Sequence, residues 1–227
     1  MYLFTPPEPP SVGIAGLDQR FPIHRIYCVG RNFAAHAREM GGQPDRAPPF
    51  FFAKPADAVI QADRVPYPHR TSELHHEVEL VVALNSGGRG LTAGDATACI
   101  YGHAIGVDLT QRDLQSEAKA AGRPWETAKA FDASAPISDI VPVAGTGHPR
   151  QGAIRLKVNG EPRQSGRLED MIWPVPEMLA ELSSYFELQA GDLVFTGTPA
   201  GVGRLLPGDR VQATIDGLGS LEFEMDG

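Results

Sequence analysis

The chain has 227 residues, 20 of them basic and 28 acidic, for a formal net charge of −8. Its length suits one generous domain with a full core, and 42% apolar with 21% charged residues is ordinary for a soluble globular protein. The negative charge with scattered Lys and Arg excludes a nucleic-acid binder held by phosphate neutralisation, and two cysteines, Cys28 and Cys99, exclude a disulfide framework or a thiolate metal site.

Residues 1–20 read as a Pro-rich lead-in with an edge strand, ahead of one catalytic domain over residues 21–227. The first ten residues hold four prolines and neither a basic nor an apolar leader segment, so no signal peptide is expected. No apolar run approaches a membrane span, which makes a cytoplasmic protein without membrane partners the expectation. Glycine (25) and proline (20) together take up nearly a fifth of the chain and favour turns over long helices. Apolar or β-branched runs at 26–29, 50–53, 78–84, 100–107 and 193–195 predict strands. A short helix is expected from Asn32 to Met40, ended by Gly41-Gly42. Another is expected after Thr110 as cap, with Leu114, Ala118 and Ala121 at helical spacing and Gly122 as the stop. The residues 153–158 followed by Asn159-Gly160 carry the strongest hairpin signal, because a type I′ turn needs positive φ at both central positions. A third helix opens at Pro176 with Met178, Leu179, Leu182, Tyr185 and Phe186 as its apolar stripe. A second hairpin spans 211–225 around Asp216-Gly217. The fold class is mixed α/β, rich in strand.

The segment His75-His76-Glu77-Val78-Glu79-Leu80 is the most informative for chemistry. On a strand Glu77 and Glu79 share a face, and two like charges there call for a cation between them. Carboxylate oxygens suit hard divalent ions, Mg²⁺, Mn²⁺ or Ca²⁺. The competing reading is a solvated acidic face. Asp108 ends the apolar run 100–107 just before a helix, where sites tend to form, although it also fits a turn or cap residue. Three such carboxylates leave coordination positions open for substrate and water. His36 and Glu39 stand at i, i+3, the spacing of a carboxylate-oriented general base, and equally of a surface pair. Lys129 lies in a loop between small and aromatic neighbours, placed either to hold an anion or to snorkel at the surface. The loop at 196–203 offers hydroxyls and free amides but lacks the phosphate-loop pattern, and no G-x-S-x-G or H-E-x-x-H motif is present. Cys28 reads as a packing residue. His75 and His76 alternate across the strand and read as supporting groups.

Together the segments Y-C-V-G-R-N-F-x-x-H-x-x-E, F-x-K-P, H-H-E-V-E-L, G-x-D-L-T-x-R-D-L-Q, G-R-P-W-x-x-A-K-x-F-D and G-D-L-V-F-T-G-T-P-x-G-V-G resemble the fumarylacetoacetate hydrolase family, in order from about Ile26. The short form is similar to the acylpyruvase branch, and the R-F-P-x-x-R-I-Y-C-V-G-R-N opening to its fumarylpyruvate hydrolases of gentisate breakdown. The resemblance implies a β-roll or sandwich with a few short helices, a homodimer, and Mg²⁺ or Mn²⁺ in the site. It implies Glu77, Glu79 and Asp108 as metal ligands, and His36 with Glu39 as a catalytic pair on a lid. Lys129 follows as a further catalytic residue, with Arg112, Gln115 and Thr198 as contacts to a small anionic 2-oxo acid. Phe33 stands where the family often has tyrosine. The implied reaction is hydrolytic C–C cleavage of a 3-acylpyruvate. Its rivals are oxaloacetate decarboxylation or 2-oxo acid tautomerisation at the same metal, and a non-catalytic β-rich interaction protein.

Overall fold

The computed structural model describes residues 1–39 and 47–227. The strand Val78–Leu84 is apolar at nearly every position and buried throughout, so both of its faces must be covered. It lies inside a six-stranded sheet ordered Val141–Pro142, Ile100–Val107, Val78–Leu84, Leu193–Phe195, Ile26–Gly30, Phe50–Lys54. Its neighbours pair antiparallel except Leu193–Phe195 against Ile26–Gly30, which run parallel.

One face of this sheet carries two covers side by side. A five-stranded sheet, ordered Glu161–Arg167, Ala153–Val158, Arg210–Ile215, Gly219–Met225, Arg64–Val65, packs Ile154, Leu156, Ala213 and Phe223 on Leu80, Ile105 and Val107. The helix Val175–Tyr185 packs Met178, Leu179 and Leu182 on Val82, Leu84 and Val194. On the other face the hairpin of Ser11–Ile14 and Leu17–Pro22 brings Val12, Ile14 and Phe21 over Val81, Ala83 and Phe195. That hairpin covers only one end of Val78–Leu84. Glu79, on the same face by strand alternation, is left beyond it.

The predicted strands and both predicted hairpins form. Asn159 (φ 53°) and Gly160 (φ 82°) make the I′-type turn, and a three-residue loop after Ile215 makes the second. The helices depart from expectation in three places. Thr110 does not cap: it lies in a short strand, Thr110–Gln111, beside Leu74–His76, and the helix Arg112–Ala120 starts after Gln111. The Thr110 hydroxyl is taken instead by the Lys129 ammonium at 2.7 Å. Tyr185 and Phe186 are exposed: Tyr185 is the last residue of the helix and Phe186 follows it in extended conformation, their rings lying against Phe51 and Tyr27. The first helix runs Ala34–Glu39, with Asn32 held outside it, and its predicted Gly41-Gly42 stop lies outside the described residues. Among the described residues no helix is long and apolar enough to cross a membrane.

Candidate active site

Strand alternation and the interruption between two consecutive strands build the site. Glu77 sits between the strands Leu74–His76 and Val78–Leu84, and Glu79 opposes Gly106 in the register. Asp108 follows the strand Ile100–Val107, and its amide donates to the Glu77 carbonyl at 2.8 Å. One oxygen from each carboxylate falls within 4.8 Å of the others, with Glu77 5%, Glu79 2% and Asp108 0% exposed. The solvated-face alternative therefore fails.

Cations surround the carboxylates. Lys129, in the short helix Glu126–Lys129, is buried with its ammonium 2.8 Å from Glu77 Oε2 and 2.6 Å from Asp108 Oδ2. This lysine does not snorkel. Arg112 donates to Glu77 Oε1, to Gln115 Oε1 at 2.6 Å and to His75 Nδ1 at 3.3 Å. Lys54 is buried 2.9 Å from Asp108 Oδ1. Its N–H groups are directed at the carbonyls of Leu109 and Lys129, so Asp108 Oδ1 has a cation beside it without an aligned hydrogen bond.

These contacts separate the two glutamates. Burial alone would raise the Glu77 carboxyl, but Lys129 and Arg112 outweigh it and hold it well below the usual range. Glu79 moves the other way: burial, then Asp108 and Glu77, push it well above its ordinary value. Its Oε2 accepts from the Gly197 amide at 2.6 Å. Burial opposes the charge on Lys129, but Asp108 and Glu77 prevail and raise its pKa. A poorly satisfied glutamate, an aspartate oxygen lacking an aligned donor, and an all-oxygen donor set fit a hard divalent cation at Glu77, Glu79 and Asp108.

His36 is buried at the same pocket, its Nδ1 3.1 Å from Glu39 Oε2. Glu39 in turn accepts from the Gly201 amide at 3.1 Å, docking the helix Ala34–Glu39 on the 196–203 loop. That loop therefore directs its amides to protein carboxylates, Gly197 to Glu79 and Gly201 to Glu39. Thr198 lines the pocket, but its hydroxyl donates to the Val78 carbonyl at 2.8 Å and accepts from Gln164 at 2.7 Å. Arg112 and Gln115 line the pocket with Phe50, Phe52 and Trp125 at its apolar side.

Sequence reasoning missed two residues. Lys54 was visible only as the lysine of F-x-K-P, with no spacing to link it to Asp108. Gln164 is buried in an otherwise polar strand and receives the Val78 amide at 3.0 Å while donating to Thr198 and to the Pro199 carbonyl. It ties the glutamate strand to the loop. His76, buried, meets the same Gln164 oxygen at 2.9 Å, which bears out a supporting place for it.

The chain is similar to known proteins along most of its length. Residues 25–225 match the family described as fumarylacetoacetate (FAA) hydrolase C-terminal. The crystal structure of fumarylpyruvate hydrolase from Pseudomonas aeruginosa in complex with Mn²⁺ and pyruvate superposes with a TM-score of 0.97 at 50% identity, covering 100% of this chain and 99% of that one. A fumarylpyruvate hydrolase from Ralstonia sp is 42% identical over 175 residues, 77% of this chain and 91% of that protein. The oxaloacetate tautomerase YcgM of Escherichia coli (strain K12) is 42% identical over 199 residues, 87% of this chain and 90% of that protein.

Proposed function

The chain belongs to the fumarylacetoacetate hydrolase family, and on that premise we propose that it hydrolyses the C–C bond of fumarylpyruvate, a 3-acylpyruvate, to fumarate and pyruvate. The observation that carries the reading is a buried carboxylate triad ringed by Lys129, Arg112 and Lys54, in a chain alike along its whole length to a fumarylpyruvate hydrolase. Glu77, Glu79 and Asp108 hold Mg²⁺ or Mn²⁺, which supplies Lewis-acid polarisation of a 2-oxo acid when bound. Arg112 and Gln115 anchor the substrate's carboxylate end, and Thr198 bounds the pocket beside them. His36, oriented by Glu39 through Nδ1, takes a proton from water at its other ring nitrogen. The hydroxide adds to the carbonyl of the fumaryl group. The bond to the pyruvyl methylene then breaks, its electron pair leaves as the pyruvate enolate, and protonation at carbon gives pyruvate. Lys129 stabilises the negative charge that develops on oxygen.

The proposal extends to a homodimer, a catalytic domain over residues 21–227 behind a lead-in of 1–20, a cytoplasmic location and a place in gentisate breakdown. A second reading, oxaloacetate tautomerisation, is favoured by the likeness to YcgM and needs proton transfer without hydrolytic water. One preparation assayed on fumarylpyruvate, acetylpyruvate and oxaloacetate, with Mg²⁺ or Mn²⁺ and after chelation, separates the two. The hydrolytic reading expects the highest kcat/KM on fumarylpyruvate and loss of turnover with EDTA. A higher kcat/KM for oxaloacetate tautomerisation would displace it.

A further inference from the structure

The sheet face opposite the carboxylates is not fully closed. The five-stranded sheet and the helix Val175–Tyr185 cover it side by side, and at the start of that helix lies a cleft of about 600 Å³, lined also by the helix Ala93–Ala98 and residues 148–150 and within the range of small-molecule sites. Ile100 and His103 belong to its floor, Leu168, Met171 and Val175 to its walls, and Arg150 to its rim. Glu79 opposes Gly106 in the register whereas His103 opposes Val82, so alternation puts this cleft and the triad on opposite faces.

Two features point to an occupant. His103 is buried, and its Nδ1 has no hydrogen-bond partner among the described residues, although a buried ring nitrogen ordinarily finds one. Burial, reinforced by the His148 ring 5.8 Å away, lowers this imidazole to about 4, so it is neutral near pH 7. Arg150 is exposed at the rim without a carboxylate partner among the described residues. The lining also holds two carboxylates, both engaged elsewhere: Glu169 by the Arg167 guanidinium and the Gly152 amide, and Glu177 by a partner of its own. We propose that this cleft is a second binding site, for a small carboxylate with a flat apolar body: the body on Ile100 and Val175, the carboxylate at Arg150.

The cleft wall is joined to the catalytic segment. Met171 bridges to Phe33, and the Ile172 amide donates to the Asn32 carbonyl at 2.7 Å. Trp173 exchanges hydrogen bonds with the Asn32 side chain at 2.7 and 3.0 Å, and its indole donates to the Ala47 carbonyl. Residues 171–173 thus grip the chain on both sides of His36 and Glu39. A ligand pressing on Met171 and Val175 biases that segment, a coupling that requires no contact with the triad.

The test uses 2-naphthoate as the probe and 2-naphthalenemethanol as its uncharged counterpart, both titrated calorimetrically into the metal-free protein. Because no turnover is measured, its outcome is independent of the hydrolase assignment. Naphthoate binds the wild type, the alcohol binds at least tenfold more weakly, and Arg150→Ala weakens naphthoate at least tenfold. Val175→Trp, which fills the cleft, removes binding, and Arg112→Ala in the triad pocket leaves it unchanged. Hydrogen exchange of the 33–39 amides shifts on naphthoate addition in the wild type and not in Arg150→Ala. No binding, equal binding of the alcohol, indifference to Arg150→Ala, or loss through Arg112→Ala would overturn the site. Unchanged exchange under saturating naphthoate would overturn the coupling. Arg150 is exposed, so its variant folds and keeps the test decisive even if Val175→Trp does not.

Discussion

Lys54 is a fully buried ammonium whose removal strands the charge beside it. It stands 2.9 Å from Asp108 and holds the Leu109 and Lys129 carbonyls, so Lys54→Met leaves an under-compensated buried carboxylate. Breaking such a pair costs about 3–5 kcal/mol, read as a lowered urea midpoint of the metal-free protein. A loss below about 1 kcal/mol would show that Lys129 alone balances Asp108. His36 is the opposite kind of residue, important to chemistry and minor in architecture. His36→Ala lowers kcat by about 10²–10⁴-fold or more while leaving the calorimetric Mn²⁺ affinity near wild type, and near-native turnover would remove the pair from the mechanism. The carboxylates were legible in the sequence because a period of two places Glu77 and Glu79 on one face and the end of an apolar run marks Asp108. Lys54 was not: after Phe50–Ala53 a lysine reads as the polar end of a strand, and nothing in the text links it to an aspartate 54 positions on. Gln164 was hidden in the same way, since its partners Val78 and Thr198 are brought to it only by packing of the two sheets.

At the scale of elements, the sheet sets the spacing of the triad. Gly106 faces Glu79 across the register, and a Cβ there would lie 2.5 Å from the Phe195 ring and 2.6 Å from Val81 Cγ2. Neither neighbour can retreat, because both are packed under the N-terminal hairpin. Gly106→Ala therefore destabilises by about 1–3 kcal/mol through overpacking, and by moving the strand that carries Glu79 it also weakens Mn²⁺ binding. Calorimetry beside a denaturant curve checks both; a stability loss with unchanged metal affinity would mean that Glu79 is positioned by Gly197 rather than by the sheet. Elements with local signals were readable. Asn159-Gly160 forces its hairpin, and Gly122, at φ 60°, ends its helix as expected. Elements decided at a distance were not. Thr110 has the chemistry of a cap, but an ammonium 19 residues on claims its hydroxyl. Tyr185 and Phe186 continue the apolar stripe in the sequence, yet the helix ends at Tyr185, the backbone is extended at Phe186, and both stay exposed.

Over the whole molecule, net charge does not describe local charge. The chain carries −8, but its buried pocket matches the carboxylates of Glu77, Glu79 and Asp108 with Lys54, Lys129 and Arg112, so the site is far less negative than the chain as a whole. The histidines show the same separation. His75, His76 and His103 are all lowered mainly by burial, and His103, the one far from the triad, reaches about 4. In the unfolded chain its imidazole takes up a proton below about pH 6.5, while in the native cleft it stays neutral until about 4. The unfolded state therefore binds more protons across that window, and stability falls as the pH falls. The contribution is complete above pH 6.5 and is lost progressively toward pH 4, reaching about 2–3 kcal/mol at pH 4.5. Every other titrating group adds its own slope, so the informative quantity is the difference between wild type and His103→Leu. Urea midpoints at pH 7 and pH 4.5 should show the wild type losing more stability than the variant by about that amount. A difference that stays constant between the two pH values would mean that the imidazole accepts its proton in the folded protein, and that the cleft is wet enough to solvate it.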